Sequence, residues 1–362
     1  MDFAVILAGG TGKRLWPLSR QKRPKQVLRL LDGQTLLRSC FERLRGTFDP
    51  RNILVLTSAD YVDMVRENLV ELPDENVIAE PAVRDTAGAI GLAAAILSKY
   101  DPESTMTVVT ADQILEPAAV FENAMRMALS FVNENPRSLV TFAIEPTFPS
   151  TQYGYIKLGA PKPCGDSADA VRRVEAFREK PDEATADAYI KDGRYCWNSG
   201  MFVWKSRTIL DLLKQHLPGC VEPLKNIQTD WGGPDQQVTL REWFGRLPKI
   251  SIDYAVLEKA EEVYAIELNC RWLDLGSFTA LADIIESDGD KNIVVAGHSE
   301  LIDCKNTIVV TEDKGHLIAL IGLEDMIVAH SPDATLVCPA NQSHRLKELL
   351  DELRKHGRES FL

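Results

Sequence analysis

The 362-residue chain predicts an α/β protein built on an open, mostly parallel sheet and followed by a small β domain. In the first half, short apolar, β-branched runs alternate with amphipathic segments, which is the pattern of repeated βαβ units. After residue 288, brief strands follow one another without helices between them. The chain is also longer than a single core usually accommodates. We therefore expect two domains, at residues 1–287 and 288–362.

The first half supplies the strands and helices of the predicted sheet. Strands are expected at 3–8, 52–57, 76–80, 106–111 and 139–144, with helices at 35–46, 60–70, 86–99 and 117–134. Ligands of such sheets bind beyond the carboxyl ends of the strands. The residues that follow each apolar run are therefore the first candidates for chemistry.

The second half predicts a looser arrangement. Hairpin-like pieces between 150 and 275, with a helix near 206–216, indicate a substrate-binding half built onto the same sheet. A helix at about 277–286 precedes the turn-rich sequence SDGDKN, which marks a boundary. Short strands are then expected at 293–296, 307–311, 317–321, 325–330 and 334–338, and a charged amphipathic helix at 344–357.

Composition and charge limit the function classes. Acidic side chains outnumber basic ones by 53 to 41, a net charge of −12, which argues against nucleic-acid and membrane partners. The longest uncharged apolar stretch, 86–98, is shorter than the roughly 20 residues that span a bilayer. The N-terminus lacks the features of a signal peptide, and the seven cysteines are scattered singly. We expect a cytoplasmic protein with neither a disulfide framework nor a zinc site.

A glycine-rich segment, AGGTGKR at 8–14, directly follows the first strand. Its backbone N–H groups can close around phosphate oxygens, although a tight structural turn is the alternative. A dinucleotide-binding fingerprint needs glycine where Leu15 stands. A P-loop needs glycine and a hydroxyl residue where Leu7 and Arg14 stand. The loop is therefore of another kind.

The charge around this loop indicates an anion site. Residues 3–31 contain no acid and seven basic side chains: Lys13, Arg14, Arg20, Lys22, Arg23, Lys25 and Arg29. A nucleic-acid patch is the competing interpretation, but the chain has no extended basic stripe elsewhere. In a protein of net charge −12, this concentration predicts local binding of a small anion.

The segment GGTGKRLWPLSRQKRPKQ at 9–26 resembles the signature of the sugar-nucleotide pyrophosphorylases, in particular the mannose-1-phosphate guanylyltransferases. The resemblance implies a Rossmann-like fold of the nucleotide-diphospho-sugar transferase type. It also implies that Arg14 and Lys25 bind nucleotide phosphates during catalysis, the arginine through a planar fork of donors and the lysine as a point charge. The implied nucleotide-binding residues around them are Leu7, Ala8, Gly9, Gly10, Thr11, Gly12 and Lys13.

A second segment, at 80–86, resembles the base-binding stretch of that family. Guanine presents N1–H and N2–H₂ side by side, and one carboxylate can accept from both. Glu80 is the first candidate and Asp85, where the family usually has Asn, is the second. Arg84 and Thr86 are implied to contact the nucleotide as well. Helix capping is the alternative role for Asp85 and Thr86.

The sugar-binding residues are implied by three further motifs. FREKP at 177–181 resembles the sugar-phosphate motif, in which Lys180 would hold the phosphate and Glu179 the sugar hydroxyls. Gly154 and Asn198 belong to the YGYI and WNSGMF pieces, the second of which matches a sugar-contacting stretch. Taken alone, EKP is a common surface turn, and WNSG is a turn before a strand.

Two aspartates match the metal ligands of the family. Asp112 follows a predicted strand in TADQI, and Asp274 lies in WLDLGS. Two carboxylates together with phosphate oxygens and water suit octahedral Mg²⁺. The family commonly has His where this chain has Gln113, and an aspartate that simply ends a strand is the alternative for Asp112.

The resemblance implies that a mannose 1-phosphate oxygen attacks the α-phosphorus of GTP, giving GDP-mannose and diphosphate. The tail at 306–338 resembles the left-handed β-helix-like C-terminal domain of the family, so we expect a short form without an isomerase domain, and a homodimer. Three alternatives stay open: transfer with another base or sugar, a catalytically silent regulator, and a nicotinamide-dependent oxidoreductase, which Leu15 disfavours.

Overall fold

The computed structural model describes residues 1–10, 12–30, 33–164, 167–283 and 285–362. These residues form two compact units. The first, here called the sheet unit, contains residues 1–9, 41–110 and 116–270. The second, here called the coil unit, contains residues 10–40, 111–115 and 271–362. The boundary expected at 287/288 stays a prediction, because units defined by proximity need not be the segments that fold independently.

The described residues form strands at all the predicted positions and at four others that were not predicted. In chain order the strands are β1 Asp2–Leu7, β2 Ile53–Ser58, β3 Val77–Glu80, β4 Thr105–Thr110, β5 Gln113–Glu116, β6 Leu139–Ile144, β7 Gly154–Cys164, β8 Ser167–Arg178, β9 Tyr195–Lys205, β10 Val263–Glu267, β11 Arg271–Asp274, β12 Ile293–Val295, β13 His298–Ile302, β14 Ile308–Thr311, β15 Leu317–Ile321, β16 Met326–Ser331 and β17 Ala334–Pro339. The four that were not predicted are β5, β10, β11 and β13.

The helices of the described residues follow the predicted alternation through the first half. They are α1 Leu36–Arg45, α2 Val62–Asn68, α3 Asp85–Tyr100, α4 Ala118–Glu134, α5 Glu183–Asp192, α6 Ser206–His216, α7 Val221–Asp230, α8 Gln236–Phe244 and α9 Leu346–Lys355. The α-helix expected at about 277–286 is wrong, because a short 3-10 turn at Thr279–Asp283 occupies that stretch. No helix in the described ranges has the length and apolarity needed to cross a membrane.

One nine-stranded sheet organises the sheet unit, in the order β3-β2-β1-β4-β9-β6-β10-β8-β7. The first four strands are parallel neighbours, which confirms the predicted Rossmann-like sheet. Strand β9 runs antiparallel between β4 and β6, and β7 and β8 form an antiparallel hairpin. Leu7 pairs with Thr110, and Ser58 pairs with Glu80, so the carboxyl ends of these parallel strands lie along the same side of the sheet.

The sheet is covered by α3, which is buried from Ala87 to Leu97. This burial explains why its sequence carries no charge over most of its length, since charged side chains are rarely buried without a partner. Ala87, Ile90 and Ala94 belong to a core cluster with apolar side chains of β1 and β4. The helix therefore fixes the stretch just before it, residues 81–84, beyond the end of β3.

The coil unit contains the small β domain. Strands β12, β14 and β16 are parallel neighbours, and β17 returns antiparallel to β16. Strands β13 and β15 form a second parallel pair, and Val309, Ile318 and Val328 pack in a common cluster. This arrangement is β-helix-like, as expected. Strand β13 was absent from the predicted set, because HSELI alternates in polarity over only five residues.

Candidate active site

The first strand leads into the glycine-rich loop with its backbone already fixed. The Ala8 amide donates to the Leu56 carbonyl at 2.8 Å, and the Thr57 hydroxyl donates to the Ala8 carbonyl at 3.0 Å. A Cβ on Gly9 would lie 3.0 Å from Oε2 of Glu80. Glycine at position 9 therefore allows the chain to pass directly against the Glu80 carboxyl.

Glu80 lies at the end of β3 and is partly enclosed. Burial raises the pKa of its carboxyl to about 7. The charged form costs free energy to bury, so a ligand that offers hydrogen-bond donors would stabilise the carboxylate. Glu80 is thus suited to accept from a donor pair.

The rest of the predicted base-binding stretch has structural partners of its own. Asp85 adopts a left-handed conformation, with φ of 61°, and its Oδ1 accepts from the Thr86 amide at 2.7 Å. The Thr86 hydroxyl accepts from the Ile252 amide at 2.8 Å, and the Arg84 guanidinium donates to the Gly245 carbonyl. The N-cap residue of α3 is Arg84, whose side chain makes no cap bond.

The predicted sugar-binding residues meet in the sheet unit. Lys180 forms an ion pair with Glu179, whose side chain is 8% exposed. A Cβ on Gly154 would overlap Oε2 of Glu179, so glycine is required for this close approach. Lys180 has a positive φ of 45°, which turns the chain sharply after the end of β8. Burial alone would lower the pKa of Lys180, but Glu179 and Asp253 outweigh it, and the pKa is raised.

Asp253 completes this cluster, and the sequence did not single it out. Its Oδ1 accepts from Nδ2 of Asn198 at 3.2 Å, and Oδ1 of Asn198 accepts from the Thr141 hydroxyl at 2.7 Å. Burial, followed by the negative charge of Glu179, raises the pKa of Asp253 to about 7. The signal available in the sequence was an aspartate inside the apolar run ISIDYAVL, which forms a π-helix at Asp253–Leu257.

The glycine loop continues in the coil unit, where Gly12 and Lys25 are in close contact. Gly12 has φ of 63°, and an added Cβ would lie 2.6 Å from Cβ of Lys25. Lys13 and Arg14 begin the 3-10 turn Lys13–Leu15 and are exposed. Gly10 lies near the Gln26 side chain, with 3.5 Å between a would-be Cβ and Nε2. Thr11 lies outside the described residues.

Lys25 joins the two aspartates that were predicted as metal ligands. Its ammonium forms an ion pair with Asp112, lies 3.9 Å from Oδ1 of Asp274 and donates to the Leu275 carbonyl at 3.3 Å. Asp112 immediately precedes β5 and Asp274 ends β11, and these two strands pair. The Leu275 amide donates to the Asp112 carbonyl at 3.2 Å, which fixes the two residues side by side.

The two aspartates also determine the charge state of Lys25. Burial alone would lower the pKa of Lys25, and the charges of Asp112 and Asp274 together with the hydrogen bond to Asp112 overcome that effect. The pKa of Lys25 is therefore raised and its ammonium stays charged. A phosphate group could replace the carboxylates as the partner of the Lys25 ammonium. A divalent cation could replace the ammonium between the two carboxylates.

Within each unit, the structure therefore brings together residues that are distant in the chain. Lys25, Asp112 and Asp274 meet in the coil unit, while Gly154, Glu179, Lys180 and Asn198 meet in the sheet unit. Gly9 and Glu80 meet at the end of the parallel strands. The structure shows which of these residues lie close together and which are charged. The roles implied by the resemblance stay predictions.

Comparisons with known proteins identify the family of the chain. A family model described as nucleotidyl transferase matches residues 3–291, and the MannoseP isomerase/GMP-like beta-helix domain matches residues 297–353. The chain belongs to the nucleotidyl transferase family. It is therefore an enzyme of the nucleotide-transferring class, which confirms the family resemblance of the 9–26 signature.

Individual relatives match this nucleotidyl transferase over nearly its whole length. An Escherichia coli protein named mannose-1-phosphate guanylyltransferase is 35% identical over 364 residues, covering 100% of this chain and 76% of its own. The xanthan biosynthesis protein XanB of Xanthomonas campestris is 35% identical, covering 98% and 73%. A solved Thermus thermophilus structure, described as a mannose-1-phosphate geranyltransferase, superposes with a TM-score of 0.87 at 33% identity, covering 98% and 99%.

Proposed function

We propose that this nucleotidyl transferase catalyses guanylyl transfer from GTP to α-D-mannose 1-phosphate, giving GDP-mannose and diphosphate. The observation that carries the proposal is the Lys25–Asp112–Asp274 cluster beside the glycine-rich loop. Lys25 would contact phosphates together with the backbone N–H groups of the loop, and the two aspartates would hold a divalent cation. Full-length similarity to proteins named mannose-1-phosphate guanylyltransferase supports the choice of substrates.

Glu80 would provide selectivity for guanine. Its carboxylate can accept from N1–H and N2–H₂ together, a pair of donors that adenine and the pyrimidines do not present. Because its pKa is about 7, the acceptor form increases as the pH rises through neutrality. A site built to receive such donors rejects bases that lack them, since its own polar group would then stay buried and unpaired.

The sugar phosphate would bind at the Glu179–Lys180–Asp253 cluster. Lys180, about half exposed, would exchange its ion pair with Glu179 for the phosphate of the sugar. Glu179 would then accept from sugar hydroxyls, and Asn198 can both donate to and accept from them. With a pKa of about 7, Asp253 can serve as donor or acceptor near neutral pH.

The residues around Lys25 fit a divalent cation that prefers oxygen ligands. Asp112 and Asp274 would hold Mg²⁺, and the ammonium between them shows that their carboxylates already converge on one positive charge. When bound, Mg²⁺ supplies charge that offsets the repulsion between the two anionic substrates. Lys25 would then turn from the aspartates toward the phosphates.

Chemically, the reaction exchanges one P–O bond for another. An oxygen of the sugar phosphate forms a bond to the α-phosphorus of GTP in line with the departing group, and the bond to the bridging oxygen between the α- and β-phosphorus breaks. Diphosphate leaves with the bonding electron pair, so no protein nucleophile is required. Arg14 and Lys25 would stabilise the charge that develops on the nucleotide phosphates, and Lys180 would neutralise charge on the sugar phosphate.

The test is release of diphosphate from purified protein with Mg²⁺, using GTP, ATP, UTP or dTTP with mannose 1-phosphate, and GTP with glucose 1-phosphate. Release with GTP and mannose 1-phosphate above all other pairs, and loss of preference for GTP over ATP in Glu80→Gln, would support the proposal. Preference for another nucleotide would overturn the assignment of the base. Absence of release with every pair would favour a silent regulator.

A further inference from the structure

The small β domain brings together three side chains that the sequence did not connect. Strand β14 pairs with β16 in a register that places Thr311 beside His330. The turn after Thr311 therefore begins next to that histidine and carries Asp313 and His316. One ligand atom from each of Asp313, His316 and His330 lies within 4.8 Å of the other two.

Hydrogen bonds fix the turn and one of the rings. The Thr311 hydroxyl accepts from the Asp313 amide at 3.1 Å, and Oδ1 of Asp313 accepts from the Gly315 amide at 2.9 Å. Nδ1 of His330 lies 3.0 Å from the Thr335 hydroxyl. The rings of His316 and His330 stack, with centroids 3.8 Å apart and planes 12° apart. The three ligands are thus held close before any ion binds.

We propose that Asp313, His316 and His330 bind a divalent transition metal of the zinc class. Two imidazole nitrogens and one carboxylate oxygen favour Zn²⁺ or Co²⁺ over Mg²⁺, which prefers oxygen ligands alone. This set therefore differs in chemistry from Asp112 and Asp274. The fourth position of a tetrahedral ion would hold water.

Metal binding requires a small contraction and the rotation of one ring out of the stack, because rings with planes 12° apart direct their nitrogen lone pairs in nearly parallel planes. Tetrahedral Zn–N bonds of about 2.0–2.1 Å set ligand atoms about 3.3 Å apart, so the cluster contracts by roughly 1.5 Å at most. His316 is exposed on the turn and can adjust its rotamer.

The site would stabilise a turn that supports the signature segment within the same unit. Glu312, adjacent to Asp313, forms an ion pair with Arg23 at 2.6 Å and accepts from the Arg29 amide at 2.7 Å. A metal bound to Asp313 would fix this turn at a second point. Because binding occurs to the folded state, it would also raise the melting temperature.

The experiment uses full-length protein without a histidine tag, dialysed against Zn²⁺ in the presence of excess Mg²⁺, with bound zinc measured by mass spectrometry. Wild type is expected to retain about one zinc per chain, and His316→Ala and His330→Ala to lose it. His344→Ala is the matched control: His344 is exposed in the same unit, its ring bonds to the Asn341 carbonyl, and it should keep its zinc.

Two further readouts separate binding from misfolding. Zn²⁺ should raise the melting temperature of wild type and His344→Ala, and leave that of Asp313→Asn unchanged. Bound Co²⁺ should give the visible absorption of a low-symmetry site in wild type. The variants of Asp313, His316 and His330 should lack this absorption. Zinc retained by His330→Ala, or absent from folded wild type, would overturn the proposal.

Discussion

The coil unit and the sheet unit each place a lysine beside two acidic side chains, but they balance the charges differently. In the coil unit, Lys25 interacts with both aspartates, and the pKa of the lysine is raised. In the sheet unit, Lys180 bonds to Glu179, while Asp253 is buried against Glu179 and has a pKa of about 7. The first cluster keeps a permanent cation between carboxylates, and the second keeps a carboxyl group that titrates near neutrality.

This difference matches two kinds of ligand. A nucleoside triphosphate needs fixed positive charge, which Lys25 would supply because its raised pKa keeps the ammonium charged. A sugar needs groups that both donate and accept, which a carboxyl of neutral pKa and an amide such as Asn198 provide. We therefore propose that the coil unit cluster acts on the phosphates of the nucleotide and that the sheet unit cluster binds the sugar phosphate.

The largest effect should follow from removing the fixed cation. Lys25→Met retains the methylene stem but leaves Asp112 and Asp274 without their ammonium. We expect the rate of diphosphate release at saturating substrates to fall by about 10²–10³-fold, because charge stabilisation in the transition state is lost. The control is Lys214→Met, an exposed lysine of α6, which should keep the wild-type rate. A Lys25 variant of near-normal rate would remove the coil unit cluster from the mechanism.

The titration of the Asp253 carboxyl should make the free energy of unfolding depend on pH. Folded Asp253 holds its proton to about pH 7, whereas the ordinary aspartate value is 3.8. The folded state therefore binds more protons between these values, and the free energy of unfolding falls as the pH rises through this window. Asp253→Asn should be more stable than wild type at pH 8 by about 1–3 kcal/mol.

Denaturant unfolding at pH 5 and pH 8 measures this effect. The Asp253→Asn protein should lose less stability than wild type between the two pH values, although Glu80, with its own pKa of about 7, still contributes to the slope. Asp187→Asn, at an exposed position of α5, is the control and should follow wild type. An unchanged slope in Asp253→Asn would show that Asp253 is ionised throughout.

A smaller effect should come from crowding Glu179. In Gly154→Ala, the new Cβ would overlap Oε2 of Glu179 and displace the carboxylate. We expect the KM for mannose 1-phosphate to rise about tenfold, equivalent to about 1.4 kcal/mol. Gly193→Ala is the control: its φ of 74° makes alanine unfavourable, but the Cβ meets no atom within 4 Å. It should lower stability and leave this KM unchanged.

The sequence predicted the elements that local patterns determine. Strands β1 to β4 and their helices were recognisable because each has its own apolar periodicity. Lys25 of the signature and Asp112, which matches a metal ligand of the family, were identified by resemblance. Their direct pairing depends on β5 meeting β11, which no local pattern encodes.

The proximity of Asp253 to Glu179, and of His316 to His330, could not be predicted from the sequence for a related reason. A single aspartate in an apolar run has no motif, and its pKa depends on Glu179, distant in the chain. His316 and His330 are separated by a complete strand, so their proximity follows only from the register of β14 and β16. Asp85 combines two features: its carboxylate accepts from the Thr86 amide at the start of α3, and its backbone has the left-handed φ of 61°, which the sequence pattern did not indicate.

The division of labour between the two clusters is tested most directly by the KM values of Lys180→Met for both substrates. The account predicts that the KM for mannose 1-phosphate rises by about tenfold or more, because one charge-assisted contact is lost, while the KM for GTP stays near that of wild type. An equal rise in both values, or a rise for GTP alone, would contradict the assignment of sugar-phosphate binding to Lys180.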